Sequence, residues 1–474
     1  MTRRRRHTEI GKEPWQSLPS VAILLDEPRI RKLAEEHSRP VVLDAIGGAL
    51  GRIRKTLVDG DPAPEISRVV DEVLRGVDEI LMDRVRPVIN ATGILLHTGL
   101  GRAVLPQKAV DRMATLNRCC NLQIDLATGL RGKRDHMTEY LLTKLTGAEA
   151  AVVVNNNASA TLLIMKALCK GKEVLVSRGQ LIEIGGSYRL QDCVHESGAI
   201  LVEVGTTNKT HLRDYESALT DNTAAILRVN PSNYRIVGFS EEVPVADLAQ
   251  IKKKRPILVI DDLGCGALVD MEPFGLPHEP TVPESVASGA DVVCFSGDKL
   301  IGGPQAGIIV GKKELIDRIR KHPLTRMLRV GKLTDVALQA TLELFLHPET
   351  LLENHPTLRM AAIPVERLRR RAGRLKRRIE RSSGRLFVRV VKSESAVGGG
   401  SMPAVAIETS ALALRAKGIP AEKLSGLLRR NTPPIIARIK EDDVILDMRT
   451  LLDGEEPMLL EALEKVHRME PTKS

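Results

Sequence analysis

Val293-Cys-Phe-Ser-Gly-Asp-Lys-Leu-Ile-Gly-Gly-Pro-Gln-Ala-Gly-Ile308 carries a single lysine, Lys299, at the end of an apolar run. Ser296 and Asp298 stand just before it, and Gly302-Gly303-Pro304 just after. An amine in that setting is partly desolvated, which disfavours the ammonium form and lowers its pKa. A neutral lysine can condense with an aldehyde, and the aldehyde most often held this way is pyridoxal phosphate. The same pattern also describes a plain strand-end lysine in a glycine turn, so the rest of the chain has to decide.

Outward from this stretch, short β-rich runs alternate with helical ones from Pro87 onward. The runs are Ala151–Val154, Glu173–Val176, Ala199–Val204, Ala224–Val229, Ile257–Ile260, Val292–Phe295 and Ala306–Val310. That alternation predicts an α/β fold with a mainly parallel sheet covered on both faces. Ligands bind such sheets beyond the carboxyl ends of the strands.

Pyridoxal phosphate needs a phosphate anchor, a partner for its ring nitrogen and a lysine. Val152-Val-Val-Asn-Asn-Asn-Ala-Ser-Ala160 runs from a strand into small polar residues and a helix predicted over Thr161–Leu168. Backbone N–H groups at Asn157, Ala158 and Ser159, with the Ser159 hydroxyl, make a phosphate cradle there. The same residues also read as an ordinary helix cap. Ile257-Leu-Val-Ile-Asp-Asp-Leu-Gly-Cys-Gly266 places two carboxylates at a strand end. Asp262 is the candidate for the ring nitrogen, and strand alternation then turns Asp261 the other way. Ser296 can add a hydroxyl to the phosphate; Asp298 either steers proton transfers at Lys299 or caps the turn. Arg102 lies in a glycine loop. Arg326 and Arg329, three apart, are expected on one helix face. Arg131 and Arg134 sit in a glycine-rich loop. Guanidinium forks of this kind suit a phosphate-bearing substrate. Gln180 and Glu183 are candidates for the residue that stacks on the ring.

The 474 residues, 43% hydrophobic and 27% charged, allow more than one domain of an ordinary globular protein. No apolar run has the length of a membrane span, and the basic start precedes no long apolar segment, so a secretory signal is not expected. The six cysteines form no Cys-x-x-Cys pair and read as reduced thiols without zinc. A net charge of +10 draws polyanions, nucleic acid foremost. One Trp, four Tyr and five Phe leave little for stacking unpaired bases, so an RNA partner would be held by phosphates and shape.

The organisation expected is a disordered basic arm (1–14), a helical N-terminal domain (15–85), a large domain (86–346) and an α+β C-terminal domain (347–474). The apolar spacing from Leu18 to about Arg84 is helical and broken at Asp61-Pro-Ala-Pro64. Arg367-Leu-Arg-Arg-Arg-Ala-Gly-Arg-Leu-Lys-Arg-Arg378 reads first as a solvated helix face. Val397-Gly-Gly-Gly-Ser401 reads as a loop, Ile435–Ile439 and Val444–Met448 as a strand pair, and Pro457–Val466 as a closing helix.

Taken together, Phe295–Gly311, Pro87–Thr98, Val154–Asn157, Ser177–Gly179, Glu183–Gly186, Glu203–Thr210 and Asp262–Gly264 resemble the motifs of bacterial selenocysteine synthases, the L-seryl-tRNA(Sec) selenium transferases. The resemblance covers nearly the whole chain. It implies a fold-type I pyridoxal phosphate enzyme with Lys299 bonded to the cofactor, and an N-terminal domain that binds the selenocysteine tRNA. It further implies a cytoplasmic protein assembled as a ring of dimers, a homodecamer. Arg102, Arg326 and Arg329 match the family's arginines around the selenium donor, selenophosphate, and Asp298 matches its active-site aspartate. The implied reaction turns L-seryl-tRNA(Sec) into L-selenocysteinyl-tRNA(Sec) through a dehydroalanyl intermediate. The family carries Asn where Gly99 stands and Gly-Ser-Gly where Gly264-Cys265-Gly266 stands. Two other classes remain at this stage: a pyridoxal enzyme acting on a free amino acid, such as a sulfur-compound lyase, and a tRNA-binding protein without catalysis.

Overall fold

The computed structural model describes residues 18–58, 62–81, 85–382 and 384–468. The expected basic arm at 1–14, Asp61 and Arg84 lie outside these residues. The chain divides into two compact units, Met1–Pro87 and Val88–Ser474.

The described part of the first unit is helical: Val21–Asp26, Pro28–Glu36, Arg39–Val58 and Ile66–Leu81. Ser20 accepts from the N–H of Ile23, and Glu27 caps the second helix ahead of Pro28. Both caps satisfy N–H groups that a helix start leaves open. Val42, Ile46, Leu50, Ile53 and Leu57 recur at helical spacing and bury against Val69, Val70, Val73 and Val77. Gly76 lets the two long helices close in, since a Cβ there would sit 3.3 Å from that of Ala45.

The second unit holds two main sheets. In chain order their strands, with one small hairpin, are β1 (Ile89–Ala91), β2 (Ala150–Val154), β3 (Glu173–Ser177), β4 (Glu183–Ile184), β5 (Tyr188–Arg189), β6 (Ile200–Val204) and β7 (Thr223–Val229). They continue with β8 (Leu258–Gly264), β9 (Val292–Ser296), β10 (Gly307–Gly311), β11 (Leu386–Gly398), β12 (Ser401–Ala416), β13 (Ile435–Lys440) and β14 (Asp443–Asp447). The larger sheet runs β2-β10-β9-β8-β7-β3-β6, and only β10 is antiparallel to its neighbours. Its inner strands are largely apolar on both sides. Val293 and Phe295 enter one core with Leu175, Ile226 and Val259, while Val292 and Cys294 enter the other with Val174, Leu227 and Ile260. Two-sided burial explains why these strands read as unbroken apolar runs.

The smaller sheet, β1-β13-β14-β12-β11, packs one face on the helices Val365–Ser382, Ala421–Arg429 and Glu455–Arg468. Leu368, Ala372, Leu375 and Ile379 form the buried stripe of the first of these. β1 joins this sheet through parallel pairing with β13, although it directly follows the first unit in sequence.

Two local expectations are corrected and a third is narrowed. The helix after β2 begins at Asn157, with Asn156 as its cap, and not at Thr161. The expected loop at 397–401 is the tight end of the long β11–β12 hairpin, with Gly398, Gly399 and Gly400 all at positive φ. Arg326 and Arg329 do not share a helix. The helix Pro323–Met327 stops short, and the N–H of Asn155 bonds the Leu328 carbonyl, drawing Arg329 into an extended bridge with Val154.

Candidate active site at the carboxyl ends of the strands

β9 ends at Ser296, and the chain turns back through Gly297–Gly303 before β10. The N–H groups of Gly297, Gly302 and Gly303 bond the carbonyls of Ala306, Lys299 and Gly297. A Cβ on Gly302, at φ +73°, would lie 2.5 Å from the His355 ring, so only glycine fits there. His355 braces the same turn, with Nε2 2.8 Å from the Ile301 carbonyl while Nδ1 accepts from the Leu358 N–H. Its burial pushes its pKa down to about 4. A neutral imidazole that donates from Nε2 and accepts at Nδ1 satisfies both bonds.

Lys299 emerges from this turn only 5% exposed. Its Nζ donates to the Gly400 carbonyl at 3.3 Å, in the β11–β12 turn. Burial lowers its pKa, and the Arg102 guanidinium adds to the shift; Cys265, Asp262 and Asp298 oppose it. Gly400 sits at φ +71°, which favours glycine, and a Cβ there would stand 3.6 Å from Nζ.

Asp262 is buried at the end of β8. It accepts from Asn157 Nδ2 at 2.7 Å, Thr161 Oγ1 at 2.9 Å and the Gly264 N–H at 3.0 Å. Burial raises its pKa against these three bonds and the nearby Lys299 charge. The β8–β9 register slips between Asp262 and Gly264, a bulge of the kind that re-aims a side chain at a strand end. Asp261 faces the other way and pairs with Arg228 at 2.8 Å and Ser285 at 2.5 Å.

Asp298 accepts from Arg102 Nη1 at 2.8 Å, and both backbones approach closely, with the Ala103 N–H 3.4 Å from the Asp298 carbonyl. Arg102 is held at φ 63° in the loop after Leu95 and Leu96, whose N–H groups bond Ala396 and Val397 of β11. The loop therefore lies between the glycine hairpin and the lysine turn. Arg329 stands exposed at the carboxyl end of β2, and Arg326 is exposed on the short helix before it. Among the described residues neither forms an ion pair with Asp298; Arg102 alone of the three does.

Ser296 is buried directly before the turn. At the helix start, the Ser159 N–H is taken by Asn156 Oδ1 at 2.9 Å, leaving the N–H groups of Asn157 and Ala158 beyond the helix's own ladder. Gln180 is committed elsewhere, accepting from the Val229 N–H, and Glu183 pairs with Arg189 at the surface. Sequence reasoning passed over Tyr188. Its hydroxyl bonds Cys193, whose thiol reaches the Ala158 carbonyl, and its pKa is raised chiefly by burial, then by neighbours that include Asp262. A tyrosine in the short β4–β5 hairpin carries no local signal of that destination. Ser232 was also missed; among the described residues its buried Oγ has no partner, and it lies 3.2 Å from where a Gly264 Cβ would be. Cys265 donates to Glu279 at 3.0 Å. A cavity of about 360 Å³ opens beside this region, between Ser177 at the end of β3, Thr206 after β6 and Pro231 after β7.

The residues fit pyridoxal phosphate on structural grounds. The amine is buried and shifted toward neutrality, a carboxylate sits within its field, and Asn157 Oδ1 and Ser232 Oγ are buried without partners. Among the described residues no group of three or more His, Cys, Asp or Glu could hold a metal ion.

Comparison with known proteins agrees with this geometry. Residues 88–452 match the L-seryl-tRNA selenium transferase family model, and residues 16–54 match the selenocysteine synthase N-terminal model. The L-seryl-tRNA(Sec) selenium transferase of Carboxydothermus hydrogenoformans is 43% identical over 95% of this chain and 97% of its own. That of Caldanaerobacter subterraneus is 44% identical over 95% and 98%. Among solved structures, D-glucosaminate-6-phosphate ammonia-lyase aligns with a TM-score of 0.56 at 22% identity, covering 82% of this chain and 98% of that one. That likeness concerns the fold.

Proposed function

The chain belongs to the L-seryl-tRNA(Sec) selenium transferase family, and from that premise we propose that it converts L-seryl-tRNA(Sec) to L-selenocysteinyl-tRNA(Sec) at the Lys299 pocket. The observation that carries the site is a buried amine with a lowered pKa, facing a buried carboxylate across the ends of β8 and β9. Lys299 would hold the aldehyde of pyridoxal phosphate and Asp262 its ring nitrogen. Ser296, the N–H groups of Asn157 and Ala158, and the Ser159 hydroxyl would hold its phosphate. When bound, the cofactor supplies an electron sink for a C–H bond next to an amine.

The chain's own groups do the rest. Lys299 Nζ, its pKa lowered by burial, would take the proton from the seryl α-carbon. Asp298 anchors the Arg102 guanidinium over the lysine turn, and Arg102, Arg326 and Arg329 would receive selenophosphate. A seryl ester offers no free carboxylate, so these arginines are free to serve a phosphate instead. We further propose that the N-terminal helical unit contacts the tRNA, supported by its match to the selenocysteine synthase N-terminal model. A homo-oligomeric, decameric state in the cytoplasm belongs to the same reading; exposed Leu126, Leu130, Val237 and Phe239 support association.

Lys299→Ala is the decisive test. The protein loaded with pyridoxal phosphate should lose its visible absorbance and all formation of selenocysteinyl-tRNA. Borohydride reduction of the unaltered protein should mark Lys299 in peptide maps. A mark at another lysine would overturn the assignment.

A further inference from the structure

The arginine run at 367–378 is not used by any step above. It forms most of the helix Val365–Ser382, whose buried stripe is Leu368, Ala372, Leu375 and Ile379. One position before each of these, at Arg367, Arg371, Arg374 and Arg378, a second stripe runs along one flank of the helix at spacings of four, three and four. That flank opens into a groove of about 400 Å³, whose far wall is the segment Leu451–Pro457.

Two cations of the groove are already spent within the fold. Arg371 bonds Glu456 at 2.6 Å and the carbonyls of Met448, Leu451 and Leu452, so it ties the helix to the far wall. Arg359 pairs with Asp453 at 3.4 Å. These pairings neutralise both carboxylates that line the groove. Arg367, Arg374 and Arg378 are exposed, and among the described residues none has an ion-pair partner.

We infer that this groove is a binding site for the phosphate backbone of duplex RNA. The three free guanidiniums do not converge on one point, as a site for a single small anion would require. From Arg367 to Arg378 they are strung over about 16 Å at the helical rise of about 1.5 Å per residue. A linear array of fixed positive charge matches a linear array of phosphates, whose condensed counterions it releases on contact. No aromatic side chain lines the groove, so unpaired bases have nothing to stack on, whereas backbone contacts need none. The overall charge of +10 favours the same class of partner. The inference rests on the reading of the chain as an enzyme acting on a tRNA, and it gives that tRNA a second point of contact, on the C-terminal layer.

The test uses the full chain with Arg367, Arg374 and Arg378 each changed to Gln. Affinity is measured across a salt series for a tRNA(Sec) transcript and for an unrelated RNA hairpin. Three lost phosphate contacts should lower the log–log salt slope by about 2–3, so the unaltered protein should lose about 15- to 60-fold more affinity than the variant between 50 and 200 mM salt. Both RNAs should show the same change, because phosphate contacts carry no sequence information. A control with Arg369, Arg370 and Arg377 changed to Gln, on the outer side of the same helix, should move the slope less. An unchanged slope in the groove variant, or an equal change in the control, overturns the inference. A changed oligomeric mass with unchanged slope assigns the groove to contacts between copies and also overturns it. Absence of binding to either RNA overturns it too. A protein that shows no preference for tRNA(Sec) over the hairpin, yet loses slope in the groove variant, counts against selective tRNA(Sec) binding and leaves the groove standing.

Discussion

The pocket around Lys299 and the arginine flank of the Val365–Ser382 helix both present basic groups, one enclosed and the other in water. At Lys299 the surroundings work on a single amine. Burial removes its hydration, Gly400 supplies a carbonyl, and carboxylates at Asp262 and Asp298 partly offset the shift. In such a site one charge more or less changes the protonation of its neighbours. On the helix flank, bulk water hydrates each guanidinium, and their effect is collective and screened by salt. The difference predicts that single changes matter greatly in the pocket and little on the flank.

After loss of Lys299 itself, the largest effect should come from Asp262→Asn. A contact charge shifts a partner's pKa by roughly 1–3 units, so activity should fall by about 10- to 1,000-fold. The amide keeps the size of the carboxyl group and can still accept from Gly264 or Thr161. Binding of pyridoxal phosphate should therefore survive, and the loss should appear in kcat. An equal loss of cofactor would show that Asp262 is a scaffold residue.

Next in size is the pH response of the turn that carries Lys299. His355 is fully enclosed, and its pKa falls from 6.5 to about 4. The unfolded chain takes up this proton near pH 6.5 and the folded chain only near pH 4, so stability is lost as pH falls through that window. The full effect is about 3 kcal/mol, present above pH 6.5 and gone at about pH 4. His355→Gln can keep the bond to the Ile301 carbonyl without titrating. Its unfolding free energy, measured by denaturant from pH 4 to 7, should be flatter than that of the unaltered chain by this amount. Parallel curves would show that the imidazole is hydrated and free.

How much of this was legible in the sequence follows from the range of the forces involved. The Lys299 turn, the Asp261–Asp262 pair and the alternation of strands and helices are local patterns, and the structure places them as the sequence suggests. Two-sided burial writes itself as unbroken apolar runs, which is why the seven-stranded sheet could be read. The β11–β12 hairpin could not. Its strands mix Arg389, Lys392 and Glu394 with apolar residues because one side meets solvent, so no unbroken apolar run marks them. The consequence reaches the site, since the carbonyl over Lys299 comes from that hairpin, at a sequence distance of 101 residues. Arg329 failed for a related reason: a single backbone bond from Asn155 to Leu328 outweighs the helical tendency of Pro323–Met327. Arg371 is the reverse case, one of a run of similar residues by composition and a tie between segments by position.

The smallest expected effect sharpens the comparison from the other side. Arg369, Arg370 and Arg377 are exposed on the outer side of the helix, and among the described residues none is held by an acid. Exchanging all three for Gln leaves the buried stripe untouched and replaces one good helix former with another. Stability should change by no more than about 0.5 kcal/mol. The sign is set by the whole molecule: at a net charge of +10 each lost cation relieves self-repulsion, so a small gain is expected at low salt and should vanish near 1 M, where the screening length is about 3 Å. Thermal unfolding at the two salt concentrations measures both size and sign. A loss of several kcal/mol that persists in high salt would mean that these arginines are held in the fold as Arg371 is, and the distinction between enclosed and solvated cations would fail on this helix.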